Sequence, residues 1–361
     1  MKTSQITSFV QSVCSYIRLS QAKTLSELVP AAMALGRASL AQLGRTLAVN
    51  SGIAVKHCIK RVDRFIGNNR IEPTEAMRGL IGWLARPREK LLVSLDWVDI
   101  RQFHCLVAAT RLKGRAIPLI WAVYRYEDFY RSQNNLEYGL LHVLRTMIPQ
   151  SVEVTILGDR GFGRTEMARE CQKLDFKYIF RISPTAWLSS RRFTGVLGHY
   201  PIRRGQSCLL RDVLYRKEKP VLQHVGIIWK YDREHPWYLM TNDEQLRAKA
   251  LSRVFGRRMT IEEYFRDTKS KRNGFALRLI QIKSSERLSR FLLILAYAYI
   301  FLVAVGLYAS NRFRPGQWCS NNRKAECSLF TIGRIMQLRP LPSINHLLRK
   351  LRCEILKQNW G

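Results

Sequence analysis

Apolar positions change their spacing near residue 86. Up to about residue 85 they recur every three or four positions, the period of amphipathic helices. Ser39 is placed to N-cap a short helix, LAQLGRTL, and the turn AVNSG follows it. The next helix, AVKHCIKRVDRFIG, carries Val55, Ile59, Val62 and Ile66 on one face. Lys56, Lys60 and Arg64 occupy another face, and Gly67 is expected as its C-cap. A short helix, a turn and a basic amphipathic helix make the pattern of a helix-turn-helix-like DNA-binding unit. An ordinary helical hairpin with a solvated basic face has the same pattern.

From residue 90 the apolar blocks shorten. KLLVSLDWVDI (90–100), FHCLVAATRL (103–112) and RAIPLIWAVYRY (115–126) predict three strands separated by tight turns. A helix over 134–148, a strand over 153–162, a helix over 164–175 and a strand over 177–182 follow. The order β-β-β-α-β-α-β begins as a meander and ends in parallel crossovers. It is the order of a ribonuclease-H-like α/β core. Residues 183–242 break this rhythm with strand-like pieces and a dense set of cations, among them Arg191, Arg192, Arg203, Arg204, Arg211, Arg216, Lys217 and Lys219. They are expected to form a basic β-rich insertion.

Helix returns from about 245 to 309. Its last part, Phe291 to Ala309, is uncharged throughout and long enough to prompt a membrane-spanning reading. Its tyrosines and small residues favour a helix buried on all sides in a protein core. The tail is basic, with a helix expected at LPSINHLLRKLRCEIL. No internal repeat is visible. The chain is thus expected to divide into a helical domain at 1–85, the candidate for DNA binding, an α/β core at 86–310 with the insertion at 183–242, the candidate for catalysis, and a basic helical C-terminal region at 311–361.

Charge narrows the partner. The 361 residues include 60 Lys and Arg against 27 Asp and Glu, a net charge of +33, with 47% hydrophobic residues. So large an excess on a globular chain points to a polyanion, and nucleic acid fits best. The eight cysteines show neither C-x-x-C pairs nor zinc spacing, so reduced thiols in a cytoplasmic protein are expected. The N-terminal segment does not read as a signal peptide.

Against this charge, a few acids stand out. Asp96 ends the apolar run LLVSLD, and Asp159 ends VTILGD just before a glycine-containing turn. A carboxylate at the end of a buried strand is costly unless it serves a metal, a reaction or a turn cap. The third acid lies in RRMTIEEYFRDTKS. On a helix, Arg258, Glu262, Arg266 and Lys269 fall within an arc of about 80°, with Glu263 and Asp267 nearly opposite and solvated. Surface salt bridging would explain that cluster. A metal centre explains it together with Asp96 and Asp159. Phosphodiester cleavage can use two Mg²⁺ ions about 4 Å apart, held by hard oxygen ligands, with Mn²⁺ as a substitute. Asp96 is then expected to bridge both ions, with Asp159 and Glu262 each completing one site.

These residues resemble those of bacterial DDE-type insertion-sequence transposases, and more narrowly the insertion-sequence-four family with its Tyr-x2-Arg-x3-Glu-x6-Lys signature. Here that signature reads Phe255, Arg258, Glu262 and Lys269, with Phe in place of Tyr. L-D-W at Asp96 and DRGF at Asp159 match the family's first two acidic motifs, and Trp237 in PWYLMTN matches its base-stacking Trp. Trp237 also fits a core position of its strand. The resemblance implies a DNA-binding N-terminal region and DNA contacts from Arg258, Lys269, Arg266, Trp237 and Phe255. It further implies cut-and-paste transposition through a DNA hairpin, performed in a synaptic dimer on double-stranded DNA. A ribonuclease-H-like nuclease without strand transfer would use the same carboxylates. A non-enzymatic DNA-binding regulator would leave them without a joint purpose.

Overall fold

The computed structural model describes residues 3–86, 89–128, 133–320 and 327–357. Five helices come first: α1 (Thr3–Val13), α2 (Leu19–Met33), α3 (Leu40–Ser51), α4 (Val55–Gly67) and α5 (Pro73–Ala85). Ser39 caps α3 by accepting from the Gln42 N–H, and Gly52 ends it with a left-handed φ of 69°. Thus α3 runs through most of AVNSG before turning. The buried face of α4 is Cys58, Val62, Phe65 and Ile66, whereas Val55 is exposed. Gly67 is not the C-cap; it is still helical, and Asn68 leaves in an extended conformation. A left-handed glycine is unnecessary there because the buried Arg290 guanidinium takes the Ile66 carbonyl at 2.8 Å.

The strands form one ten-stranded sheet in the order β3-β2-β1-β4-β5-β10-β9-β8-β6-β7. The first five are β1 (Lys90–Ile100), β2 (Phe103–Leu112), β3 (Arg115–Arg125), β4 (Glu153–Gly158) and β5 (Phe176–Arg181). β1, β2 and β3 pair antiparallel as a meander, and β4 and β5 join parallel through α6 (Gln133–Met147) and α7 (Thr165–Lys173). The meander-then-crossover order expected from the hydrophobic pattern is therefore present, and this mixed α/β architecture is consistent with a ribonuclease-H-like core. Pro118 is tolerated in β3 because that strand lies at the sheet edge, beside a register shift at Ala108 and Ala109. The insertion is not a separate sheet. Its strands β6 (Trp187–Ser189), β7 (Thr194–Val196), β8 (Ser207–Tyr215), β9 (Val221–Ile228) and β10 (Trp237–Thr241) extend the same sheet beyond β5.

The helix expected over 245–309 is broken twice. α8 (Ala248–Gly256) tightens into a 3-10 turn at Arg257–Met259, α9 (Thr260–Lys269) follows, and α10 (Ser285–Arg312) starts afresh. Ser284 caps α10. This helix is the only one among the described residues with the length and composition to cross a membrane, and 94% of its apolar window is buried inside the protein. It packs against α2, α4 and α5, against β3, and against α11 (Leu329–Met336) and α12 (Ile344–Lys357). Contact on all sides explains an apolar surface on all sides. Backbones touch where α10 meets α11. A Cβ at Gly306 would lie 1.8 Å from the Leu329 carbonyl oxygen, so only glycine fits. All eight cysteines are free thiols; Cys14, Cys58, Cys105 and Cys171 are buried.

Candidate active site

The site begins with register. β1 and β4 run parallel, and their last paired residues are Ser94 and Leu157. Asp96 and Asp159 each lie two residues further on, so the pleat brings them level as the two strands part. This is the carboxyl-end crevice of an open sheet, where ligands collect. Asp96 does not end its strand. β1 continues to Ile100, and Asp96 still pairs with Val107 of β2; only its β4 side is open. β4 stops at Gly158, and Asp159 starts a tight turn, accepting the Gly161 N–H at 2.9 Å. The close approach of Phe162 explains the residue before it: a Cβ on Gly158 would lie 2.7 Å from the Phe162 Cβ.

α9 crosses β1, β2 and β3 and brings the third acid. Arg258, in the 3-10 turn before α9, donates through Nη1 to Asp96 Oδ2 at 2.9 Å and through Nη2 to Glu262 Oε1 at 2.9 Å. One guanidinium thus joins acids from two ends of the chain. Burial pushes Asp96 up to about 6; Arg258 opposes that shift and the nearby Asp159 adds to it. Burial likewise lowers Lys269, reinforced by Arg278, while Asp99 and Asp96 pull it back. Arg181 at the end of β5 is lowered by burial and by Arg160 and Arg258, with Asp159 acting the other way. Arg160, Arg181, Arg258 and Lys269 therefore surround the carboxylates with positive charge suited to phosphates.

Other residues of the expected cluster lie differently. Arg266 turns away from Glu262 and pairs with Glu263, and its side chain is 73% exposed. Glu263 and Asp267 are not simply solvated. Glu263 also pairs with Arg115 at 3.0 Å. Asp267 is buried and accepts from Arg115, Tyr299 and Ser328, which ties α9 to β3, α10 and the start of α11. The helical wheel misjudged this face because it left out β3 and the C-terminal helices, which cover it. Phe255 is turned inward, 4% exposed, with its ring edge-on to Trp237 at 5.1 Å. The expectation of a DNA contact from Phe255 is corrected accordingly: an apolar ring on the inner face of α8 packs in the core cluster and supports Trp237. Trp237 itself is half-buried at the start of β10, and the Arg233 guanidinium lies 3.1 Å from its ring centroid. Lys56, Lys60 and Arg64 are exposed on α4.

One buried carboxylate escaped the sequence reading. Glu137 on α6 is 1% exposed, although it shares a helix face with Leu140, Leu141 and Leu144. A charged residue on an apolar stripe is the signal that could have found it. Its Oε1 accepts Trp97 Nε1 at 2.9 Å and Gln133 Nε2 at 3.3 Å, and its Oε2 accepts from Arg164.

Three hard-oxygen acids suit a divalent ion. Among the described residues, however, no three acidic, His or Cys side chains stand together as a ready-made cage. The Arg258 guanidinium instead bridges Asp96 and Glu262, with a separate nitrogen on each acid.

A sheet of this order, with two aspartates level at its crevice and a helical glutamate that shares Arg258 with one of them, is consistent with an α/β core of the ribonuclease-H-like kind. Residues 124–301 match the family model for the transposase DDE domain. That match includes Asp159, Trp237, Arg258, Glu262 and Lys269 and supports a DDE transposase, a group that acts on DNA and generally uses divalent metal ions. No curated protein matches the chain.

Proposed function

We propose that this chain is an insertion-sequence transposase of the insertion-sequence-four type, which cuts and joins DNA with Asp96, Asp159 and Glu262. The observation that supports this reading is the convergence of Asp96 and Glu262 on Arg258, with Asp159 level with Asp96 across the β1–β4 opening. Divalent ions held by these acids would supply the Lewis acid that stabilises charge on the attacking and leaving oxygens.

The chain's own residues bind and orient. Arg258 and Lys269 hold phosphates flanking the scissile bond, with Arg160 and Arg181 extending the cationic rim. Arg258 exchanges its carboxylate partners for phosphate as DNA enters, which frees Asp96 and Glu262 for metal. Lys56, Lys60 and Arg64 on α4 engage the terminal inverted repeat. Water cuts one strand at the transposon end, leaving a 3′-hydroxyl. That hydroxyl attacks the opposite strand and closes a hairpin, releasing the flanking DNA. Water reopens the hairpin, and the 3′-hydroxyl then displaces a 3′-oxygen in target DNA. Trp237 stacks on a base extruded at the hairpin, with Phe255 bracing its edge. Two protomers act together on a pair of ends.

The test is a Mg²⁺-dependent assay on DNA carrying short inverted repeats taken from the flanks of the coding region. Excision with joining to target supports the proposal. Cutting without joining would make the chain a nuclease, and binding without cutting would make it a regulator.

A further inference from the structure

Glu137 has no place in the chemistry above, yet it reaches both aspartates. Its two oxygens serve different partners. Oε1 accepts the indole N–H of Trp97, the residue after Asp96, and the Trp97 backbone N–H donates to Asp96 Oδ1 at 2.9 Å. Oε2 accepts from Arg164, which also donates to the Gly161 carbonyl; the Gly161 N–H in turn donates to Asp159 Oδ1 at 2.9 Å. The backbone groups that orient the two aspartates are thus tied through Trp97 on one side and Arg164 on the other to a single carboxylate. Successive strand residues face opposite ways, so Trp97 carries this tie to the sheet face opposite Asp96. His104 stacks on the Trp97 ring at 4.4 Å and braces it from the far side.

We infer that Glu137 is a positioning residue that sets the spacing of Asp96 and Asp159, and with it the affinity of the site for divalent metal. This rests on the carboxylate reading above. A buried carboxylate is costly unless its partners satisfy it. Here the partners lie beside the two level aspartates rather than elsewhere in the fold. A carboxylate that only pinned α6 to α7 would need Arg164 but not the indole N–H of Trp97.

The experiment compares full-length wild type with Glu137→Gln, Glu137→Ala and Trp97→Phe. Free Mn²⁺ is followed by electron paramagnetic resonance, end binding by fluorescence anisotropy, and cleavage across a Mn²⁺ series. Glu137→Ala is expected to weaken Mn²⁺ binding by about 10-fold or more, as for lost outer partners of metal ligands. End binding should stay within about twofold, and excess Mn²⁺ should restore most of the cleavage rate. Glu137→Gln keeps an acceptor for Trp97 but loses the charge opposite Arg164, so it should fall between wild type and Ala. Trp97→Phe keeps the stacked ring and loses only the N–H, so it should shift the Mn²⁺ midpoint in the same direction. It also serves if the Glu137 variants do not fold. Unchanged Mn²⁺ midpoints in the folded variants overturn the inference. Asp159→Ala is the control: if it too leaves Mn²⁺ binding unchanged, the carboxylate reading fails and this inference falls with it. If only Asp159→Ala weakens binding, Glu137 alone loses its role.

Discussion

Arg258 donates to Asp96 from 162 positions further along the chain, and its other nitrogen holds Glu262. This contact makes Arg258 a competitor of metal in the DNA-free protein. Arg258→Ala should therefore tighten Mn²⁺ binding without DNA, by about 10-fold, because it removes a unit charge from between two ligands. The same variant should cleave poorly, since a phosphate contact is lost. Weaker Mn²⁺ binding in a calorimetric titration would mean that Arg258 gathers the carboxylates rather than holding their place.

Loss of any one acid should remove chemistry and leave recognition. Asp96→Ala, Asp159→Ala and Glu262→Ala are each expected to cut cleavage by about 100-fold or more, with end binding within about twofold. Glu263→Ala should keep most of its activity, because Glu263 faces Arg115 and Arg266 rather than Arg258. Gel-based cleavage and mobility-shift assays on one DNA substrate separate the two effects. A dead Glu263→Ala beside an active Glu262→Ala would reassign the third acid.

The exposed cations of α4 should show in the salt dependence of binding. Each phosphate contact contributes about 0.9 to the slope of log affinity against log salt. Replacing Lys56, Lys60 and Arg64 with Gln should therefore lower that slope by up to about three. A slope equal to wild type would make α3 and α4 an ordinary helical hairpin with a solvated basic face.

Trp237 meets the Phe255 ring at nearly a right angle and carries the Arg233 guanidinium over its own ring. Base stacking on an aromatic side chain is worth about 1–3 kcal/mol, a factor of about 5 to 150 in rate. Trp237→Ala should slow hairpin closure and opening by that factor and spare the first nick. A 2-aminopurine near the transposon end would brighten on unstacking in the wild-type complex. Equal rates for all steps in the folded variant would leave Trp237 as a strand residue only.

Asp267 offers a pH test independent of the active site. Burial pushes it up to about 6, and Arg115, Ser328 and Tyr299 only partly oppose the shift. A carboxyl raised on folding favours the folded state while protonated. Its contribution is full below its unfolded value near 4 and is lost as pH rises through about 6. Between pH 4 and 6 the stability of wild type relative to Asp267→Asn should therefore fall, by roughly 1–3 kcal/mol. Thermal unfolding of both proteins across that range checks the sign. A relative stability that rises with pH would show that Arg115 outweighs burial.

Short-range pattern was enough for much of the fold. The blocks KLLVSLDWVDI and FHCLVAATRL give β1 and β2 at the predicted bounds, because buried strands need short runs of apolar residues between turns. Ser39 names the start of α3, because its hydroxyl satisfies a backbone N–H only three residues away. The uncharged run in α10 marked a helix apolar on all sides, its tyrosines and small residues favoured a place in the core, and Asp96, Asp159 and Glu262 stood out as acids in a strongly basic chain.

Contacts between distant segments decided the rest. Parallel register levelled Asp96 with Asp159, and a 3-10 turn set Arg258 between Asp96 and Glu262. Asp267 is buried because β3, α10 and the start of α11 close over α9, which the period of one helix cannot show. Phe255 turns inward because Trp237 is there to meet it. Glu137 is the clearest case. Its place on an apolar stripe marks it as unusual, but its partners come from β1 and the start of α7, and only folding brings them together. Backbone periodicity and caps are local physics, written within a few residues of sequence. Charge pairing and burial depend on distance in space, which folding alone sets.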